Sequence, residues 1–306
     1  MDLLEILRRD VASLPEGPYL RGLKSVIRHI HAAESHLSRG RDQPDDAAFT
    51  DAIYRTNQAF EGSIKEAYRV LAGRDPGRTS IYSIENYLER HRIIRDRVLS
   101  QLRNYRTEWR NPATHDYNLD FDANEALLAI VSVSAFAKLL FDLIEERLTF
   151  NEVQEELEEH PPAIAPESQS VHDRVVSSII EFSGAYLSHH ALRLENEAQI
   201  SGALHAFLIA VAPELNVQME VPLGGASRRT WADFVIGSGT ERVVLEVKRG
   251  HNKVLLDQAI SQISLYMNLT EAASGIVFFA EPSGEFVVSN ATLDSKMVTL
   301  ISPRRP

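Results

Sequence analysis

The sequence predicts two domains, an all-α helical bundle followed by an α/β domain. Three observations carry that expectation. Apolar residues recur every three or four positions through residues 1–150, the spacing of helices that bury one face. From Val217 the period shortens to two, as in half-buried strands. Between the two regimes, residues 151–170 hold six acids, no basic residue and Pro161, Pro162 and Pro166, which reads as a linker at the domain boundary whose acidic part could still be helical. A chain of 306 residues is long enough for two such cores.

The helical half is expected as stretches over residues 3–13 and 18–38, then Phe49 to Leu71, where Phe49, Ile53, Phe60, Ile64, Tyr68 and Leu71 share a stripe. Gly73 and Pro76-Gly77 end that helix. Ser83 to Trp109 reads as helix with one break, and Asn111-Pro112 as a stop or a kink. Asp122 to Phe150 is the last helix, and apolar residues nearly encircle it. After the linker, helices are expected near 171–190 and 195–212. Strands follow at Val217–Leu223, Trp231–Ile236 and Arg242–Lys248, then a helix over Leu255–Leu269 and a strand over Gly275–Ala280.

Composition narrows the chemistry. There is no cysteine, which rules out disulfides and thiolate metal sites. The start of the chain is charged and unlike a secretory signal, and the apolar run from Ala126 is interrupted by Lys138 and Asp142, so a cytoplasmic protein with no membrane partner is expected. The formal charge is −11, shared as −2 over residues 1–150, −6 over 151–170 and −3 over 171–306. No half has the basic excess of a non-specific nucleic-acid coat, so any nucleic acid must be held locally.

The strand Val243-Val244-Leu245-Glu246-Val247-Lys248 sets Glu246 and Lys248 on one face with Val244, their Cβ atoms about 7 Å apart by strand geometry. The Gly237-Ser238-Gly239 turn can bring Asp233 alongside Glu246. Two carboxylates beside a lysine suit a hard divalent ion, Mg²⁺ or Mn²⁺, with water and phosphate completing its shell. Glu197 is in helical register with Ile200, Leu204 and Leu208 and is expected on the buried face. Gln258, Gln262 and Tyr266 share one face of the later helix. Opposite charges on a solvated strand would account for Glu246 and Lys248 equally well if they stood alone.

Glu197, Asp233, Glu246-Val247-Lys248 and Gln262-x-x-x-Tyr266, in that order, resemble the PD-(D/E)XK superfamily of restriction-endonuclease-like nucleases over roughly residues 175–285. The resemblance implies a mixed central sheet. It implies that Asp233, Glu246 and the carbonyl of Val247 bind Mg²⁺ with Glu197 nearby, that Lys248 serves the attacking water, and that Gln262 lies on the helix facing nucleic acid. Ala232 stands where the family often has proline.

A second motif, Arg110-Asn111-Pro112-Ala113-Thr114-His115, closes a long helix. Arg110 could neutralise a phosphate, His115 act as acid or base, and Asn111 fix the imidazole, with no metal required. The bland alternative is a helix end with His115 paired to Asp116. With Tyr105-Arg106, Trp109, the Phe60-Glu61-Gly62 helix and the apolar helix that follows, residues 1–150 resemble the HEPN domain. That resemblance implies a homodimer formed through this domain, with Arg110, Asn111 and His115 as a metal-independent RNase site or an inactive remnant. The expectation is a metal-dependent nuclease acting on DNA or RNA, of the kind found in prokaryotic anti-phage and toxin systems. The alternatives are a repair or restriction nuclease whose bundle only dimerises, and a catalytically dead nucleic-acid sensor.

Overall fold

The computed structural model of the chain describes residues 2–43, 45–111, 113, 120–162, 169–187, 194–225, 230–250, 252–281 and 285–304. It divides into two compact units, Met1–Leu148 and Thr149–Pro306. The first is helical and the second is built on a mixed six-stranded sheet.

In the first unit α1 (Leu3–Ser13), α2 (Leu20–Asp42), α3 (Ala47–Leu71), α4 (Ile81–Arg90), α5 (Asp96–Tyr105) and α6 (Ala123–Glu159) supply the core. Phe60 of α3 sits at its middle, stacked on Tyr105 at 4.5 Å and packed against Phe136 of α6 at 5.3 Å. The break expected between Ser83 and Trp109 falls after Arg90, and the second piece ends in a π-helical turn over Arg106–Arg110. Gly22 lets α2 approach α3: a Cβ there would meet the Glu66 carboxylate at 2.1 Å.

α6 is longer than its apolar stretch suggests. It carries the acidic segment as far as Glu159, and Val153 and Leu157 are buried in the second unit's core. By length and composition it could cross a membrane, although more than half of its most apolar window is buried in the protein. What the bundle leaves uncovered is a stripe of Leu127, Leu128 and Val131, all exposed.

The second unit runs α7 (Val171–Phe182), a π-helical turn at Ser183–Leu187, α8 (Glu197–Val211), β1 (Asn216–Leu223), β2 (Thr230–Ser238), β3 (Glu241–Lys248), α9 (Lys253–Thr270), β4 (Ser274–Phe279), β5 (Phe286–Leu293) and β6 (Lys296–Pro303). The strand order is β1-β2-β3-β4-β6-β5. The β3/β4 and β4/β6 pairs are parallel and the others antiparallel. Alternation along β3 divides the core. Val243, Leu245 and Val247 pack under α7 and α8, whereas Val244 packs with Ile263, Tyr266 and Met267 of α9. Gly275 of β4 lies so close under α9 that a Cβ would meet Ile263 at 2.6 Å.

Two strands go beyond the sequence reading, β5 and β6. Six of the eight residues of β5 are exposed, so no hydrophobic alternation marks it. The hairpin joining the two turns on Asp294 and Ser295, both in the left-handed region at φ 48° and 70°, without the glycine that usually signals such a turn.

Candidate active site

The geometry begins with the β2–β3 pairing. Phe234 stands opposite Leu245 and Val235 opposite Val244, so the register, continued by one residue, sets Asp233 opposite Glu246. The strand is not regular there. The β1–β2 ladder omits the Glu220/Asp233 pair, and Glu220 has φ 52°. Ala232 joins the α9 layer whereas Phe234, two residues on, joins the α7/α8 layer. The strand therefore rolls at Asp233, as β-bulges do beside functional sites. Oδ2 of Asp233 accepts a hydrogen bond from the Val247 N–H at 2.8 Å.

Glu246 is 2% exposed. Its Oε1 accepts from Lys248 Nζ at 2.5 Å, and its Oε2 is buried with no hydrogen-bond partner. Burial pushes its pKa up to about 7, with the Asp233 charge adding to the shift, Lys248 opposing it, and Glu197 raising it slightly. Burial works against the Lys248 ammonium as well. The charge and hydrogen bond of Glu246, with the charges of Asp233 and Glu197, outweigh that, so its pKa is raised and it is a cation at neutral pH.

Glu197 departs from expectation. It is exposed rather than on the buried face. The reason is its position as the first residue of α8, after the Asn196 cap: no preceding turn carries it inward, and the apolar stripe begins at Ile200. Its charge still acts on Glu246 and Lys248. On α9, Gln258 is exposed, Gln262 half-buried and Tyr266 buried, so the shared face slopes into the core. Gln262 Nε2 donates to the Tyr266 hydroxyl at 3.4 Å, and the Thr230 hydroxyl reaches that oxygen at 3.0 Å. Sequence reasoning did not single out Thr230 or Glu220, because neither belongs to a periodic pattern.

Among the described residues no group of three or more His, Asp or Glu forms a ready-made cation cage. Mg²⁺ does not need one, since it commonly takes one or two carboxylates and keeps several waters. The unpartnered buried oxygen of Glu246, close to the charges of two further acids, fits such an ion.

In the helical unit, Arg110 closes the π-helical turn, and the Asn111 N–H donates to the Arg106 carbonyl. Arg110 Nη1 donates to Asn111 Oδ1 at 3.3 Å, and Nε and Nη2 reach Glu61 Oε1 at 3.4 and 3.3 Å. Arg110 and Asn111 are thus brought together, and Glu61 joins them from α3. Nothing in its spacing marks Glu61 as that partner, because it sits one position off the Phe60/Ile64 core stripe. His115 lies outside the described residues.

No family model matches the chain, and no curated protein sequence is significantly similar to it.

Proposed function

We propose that the chain is a metal-dependent nuclease of the PD-(D/E)XK type that hydrolyses phosphodiesters of DNA or RNA. The observation that carries the reading is the placement, one residue past the paired stretch of β2 and β3, of Asp233 beside a buried Glu246 whose second oxygen has no partner, with the Lys248 cation next to it. Burying a carboxylate oxygen without a donor is costly, and a fold serving stability alone gains nothing from it.

Asp233, Glu246 and the backbone of Val247 would hold Mg²⁺ or Mn²⁺, with Glu197 at the solvent side. When bound, the ion supplies a more acidic water and charge neutralisation at the phosphate. Lys248 is protonated, so it is not a general base at neutral pH. Its Nζ, now donating to Glu246 Oε1, is the cation placed to orient water and to meet negative charge developing on the phosphate. Gln262 lies on the helix that covers the same face of the sheet.

The helical unit, read as HEPN-like, would dimerise through the exposed Leu127, Leu128 and Val131 stripe of α6. The Arg110–Asn111–Glu61 cluster on a π-helical turn favours a functional role there, because such turns gather at functional sites. A role in prokaryotic defence against invading nucleic acid rests on the two resemblances.

The test is incubation of the purified chain with labelled single- and double-stranded DNA and RNA, in Mg²⁺, in Mn²⁺ and in EDTA, with Lys248→Ala alongside. Metal-dependent cleavage lost in Lys248→Ala is expected. Cleavage by Lys248→Ala at the parent rate would overturn the assignment of this face.

A further inference from the structure

We infer that the outer face of α4, in the helical unit, is a binding surface for single-stranded nucleic acid. The inference gives the nuclease reading a substrate form.

The segment that carries α4 is rich in arginine. Residues 72–110 contain nine arginines and no lysine against five acids, within a chain of net charge −11. Arginine differs from lysine in what it recognises: its flat fork grips phosphate with two parallel hydrogen bonds and stacks on rings. The nearby acids are already engaged, Asp75 with Arg69, Glu85 with Arg103 and Arg106, and Glu89 with Arg103. Among the described residues no acid pairs with Arg78, Arg90 or Arg92, and all three are exposed.

Flat groups are interleaved with the charge. Arg74 lies over the Tyr87 ring at 4.5 Å, and Tyr87 packs against His91 at 4.2 Å. Both Arg74 and His91 are exposed, so the cluster they form on Tyr87 reaches the surface. Tyr82 is 62% exposed, with the Arg106 guanidinium 6.0 Å from its ring centre. α4 buries Ile81, Ile84, Glu85 and Leu88. At about 100° per residue, Tyr82 and Tyr87 then fall on opposite flanks of the outward face, with Arg90 between them.

Arg92 adds a separate observation. It has φ 51° at the end of α4, where its N–H donates to the Glu89 carbonyl. Where a helix ends in this conformation the residue is usually glycine, because a side chain is sterically disfavoured. An arginine there has no role in the backbone turn, and it adds an exposed cation at the end of α4.

Phosphates along the arginines and bases stacked on Tyr82 and on the Arg74–Tyr87–His91 cluster are the two contacts that single-stranded binders combine. A duplex hides its base faces and could use only the charge. The sugar is not what this surface reads, so DNA and RNA strands both fit.

The experiment is fluorescence anisotropy of the full chain in EDTA, which removes metal-dependent cleavage. The probes are a 20-nucleotide oligo-dT, a 2′-O-methyl oligo-U of equal length, and a duplex of equal length. Both single strands are expected to bind, with the duplex at least about fivefold weaker. Arg90→Glu should weaken single-strand binding about tenfold and Tyr82→Ala about fivefold, in line with loss of one phosphate contact and one stacked base. Both side chains are exposed, and circular dichroism checks that the fold is kept. Absence of single-strand binding, a duplex bound equally well, or parental affinity in both variants would overturn the inference. Binding without any metal-dependent cleavage would instead overturn the nuclease reading and leave this one standing.

Discussion

The two candidate sites are built on different kinds of backbone. In the sheet unit, Asp233, Glu246 and Lys248 hang from adjacent strands whose register is fixed by hydrophobic residues on both faces. In the helical unit, Arg110 and Asn111 sit where an α-helix has relaxed into a π-helical turn, and a side chain of another helix, Glu61, holds the arginine. The first arrangement centres on a buried carboxylate; the second is half-exposed throughout. The difference predicts which perturbations matter: charge and metal in the sheet unit, orientation in the helical one.

The largest effects belong to the buried site. Asp233→Ala, Glu246→Ala and Lys248→Ala should each lower metal-dependent cleavage by about a hundredfold or more, the usual scale for removing one preorganised charge from a reacting phosphate. Melting curves should show the fold intact. Loss of activity only in parallel with loss of folding would reduce these residues to structural ones.

Stability against pH sharpens the same contrast. The Glu246 carboxyl has its pKa raised from 4.5 to about 7, chiefly by burial and then by Asp233. An acid with a higher pKa in the folded chain holds its proton where the unfolded chain has lost it. Metal-free stability should therefore fall as pH climbs from about 4.5 to about 7, and level off above. At pH 8, Mg²⁺ at about a hundred times its Kd should restore about 2.7 kcal/mol, or roughly 5 to 10 °C in the melting temperature of this unit. Glu246→Gln should flatten the pH response and remove the metal response together. A Mg²⁺ shift that survives this variant would place the ion elsewhere.

In the helical unit the larger expectation concerns assembly. Leu128→Glu with Val131→Glu places two charges on the exposed stripe of α6. Light scattering should show a dimer for the parent chain and a monomer for the variant, with circular dichroism showing the helices kept because neither side chain is buried in the core. A parent chain that is monomeric at micromolar concentration would count against the stripe as an interface.

The sheet site was legible because strand alternation is strict: Glu246 and Lys248 must share a face, and Val243, Leu245 and Val247 must take the other, as they do. The roll at Asp233 was not legible, since it depends on Glu220 adopting φ 52° in the neighbouring strand. Helical register misplaced Glu197, because a helix's first residue has no preceding turn to pack against. β5 escaped because an exposed edge strand needs no apolar alternation: only its end residues Phe286 and Leu293 pack on the core, and backbone pairing with β6 continues the sheet between them. The helices followed from their apolar spacing, but the contact of Glu61 with Arg110 spans 49 positions and leaves no mark in either local pattern.

The smallest effect on total cleavage is expected from the arginine motif, and it decides whether the helical unit has chemistry of its own. A metal-independent site built on Arg110, Asn111 and His115 would have the ribose 2′-hydroxyl attack the adjacent phosphate and expel the 5′-oxygen of the next nucleotide, with His115 taking the proton from the first or giving one to the second and Arg110 meeting the charge. RNA cleavage should then survive EDTA, leave a 2′,3′-cyclic phosphate, and fail on a strand with a 2′-deoxy sugar at the cut. His115→Ala should abolish this activity while sparing the metal-dependent one. Glu61→Gln offers a finer probe. Glu61 holds the Nε and Nη2 edge of Arg110, leaving Nη1 toward Asn111. Removing its charge while keeping its shape should loosen the guanidinium without deleting it, so a loss of about three- to tenfold is expected, well short of that in His115→Ala. Disappearance of all RNA cleavage in EDTA would make the motif a helix terminus, and the bundle a dimerisation and binding module. Equal loss in Glu61→Gln and His115→Ala would instead assign Glu61 a direct part in the proton transfer.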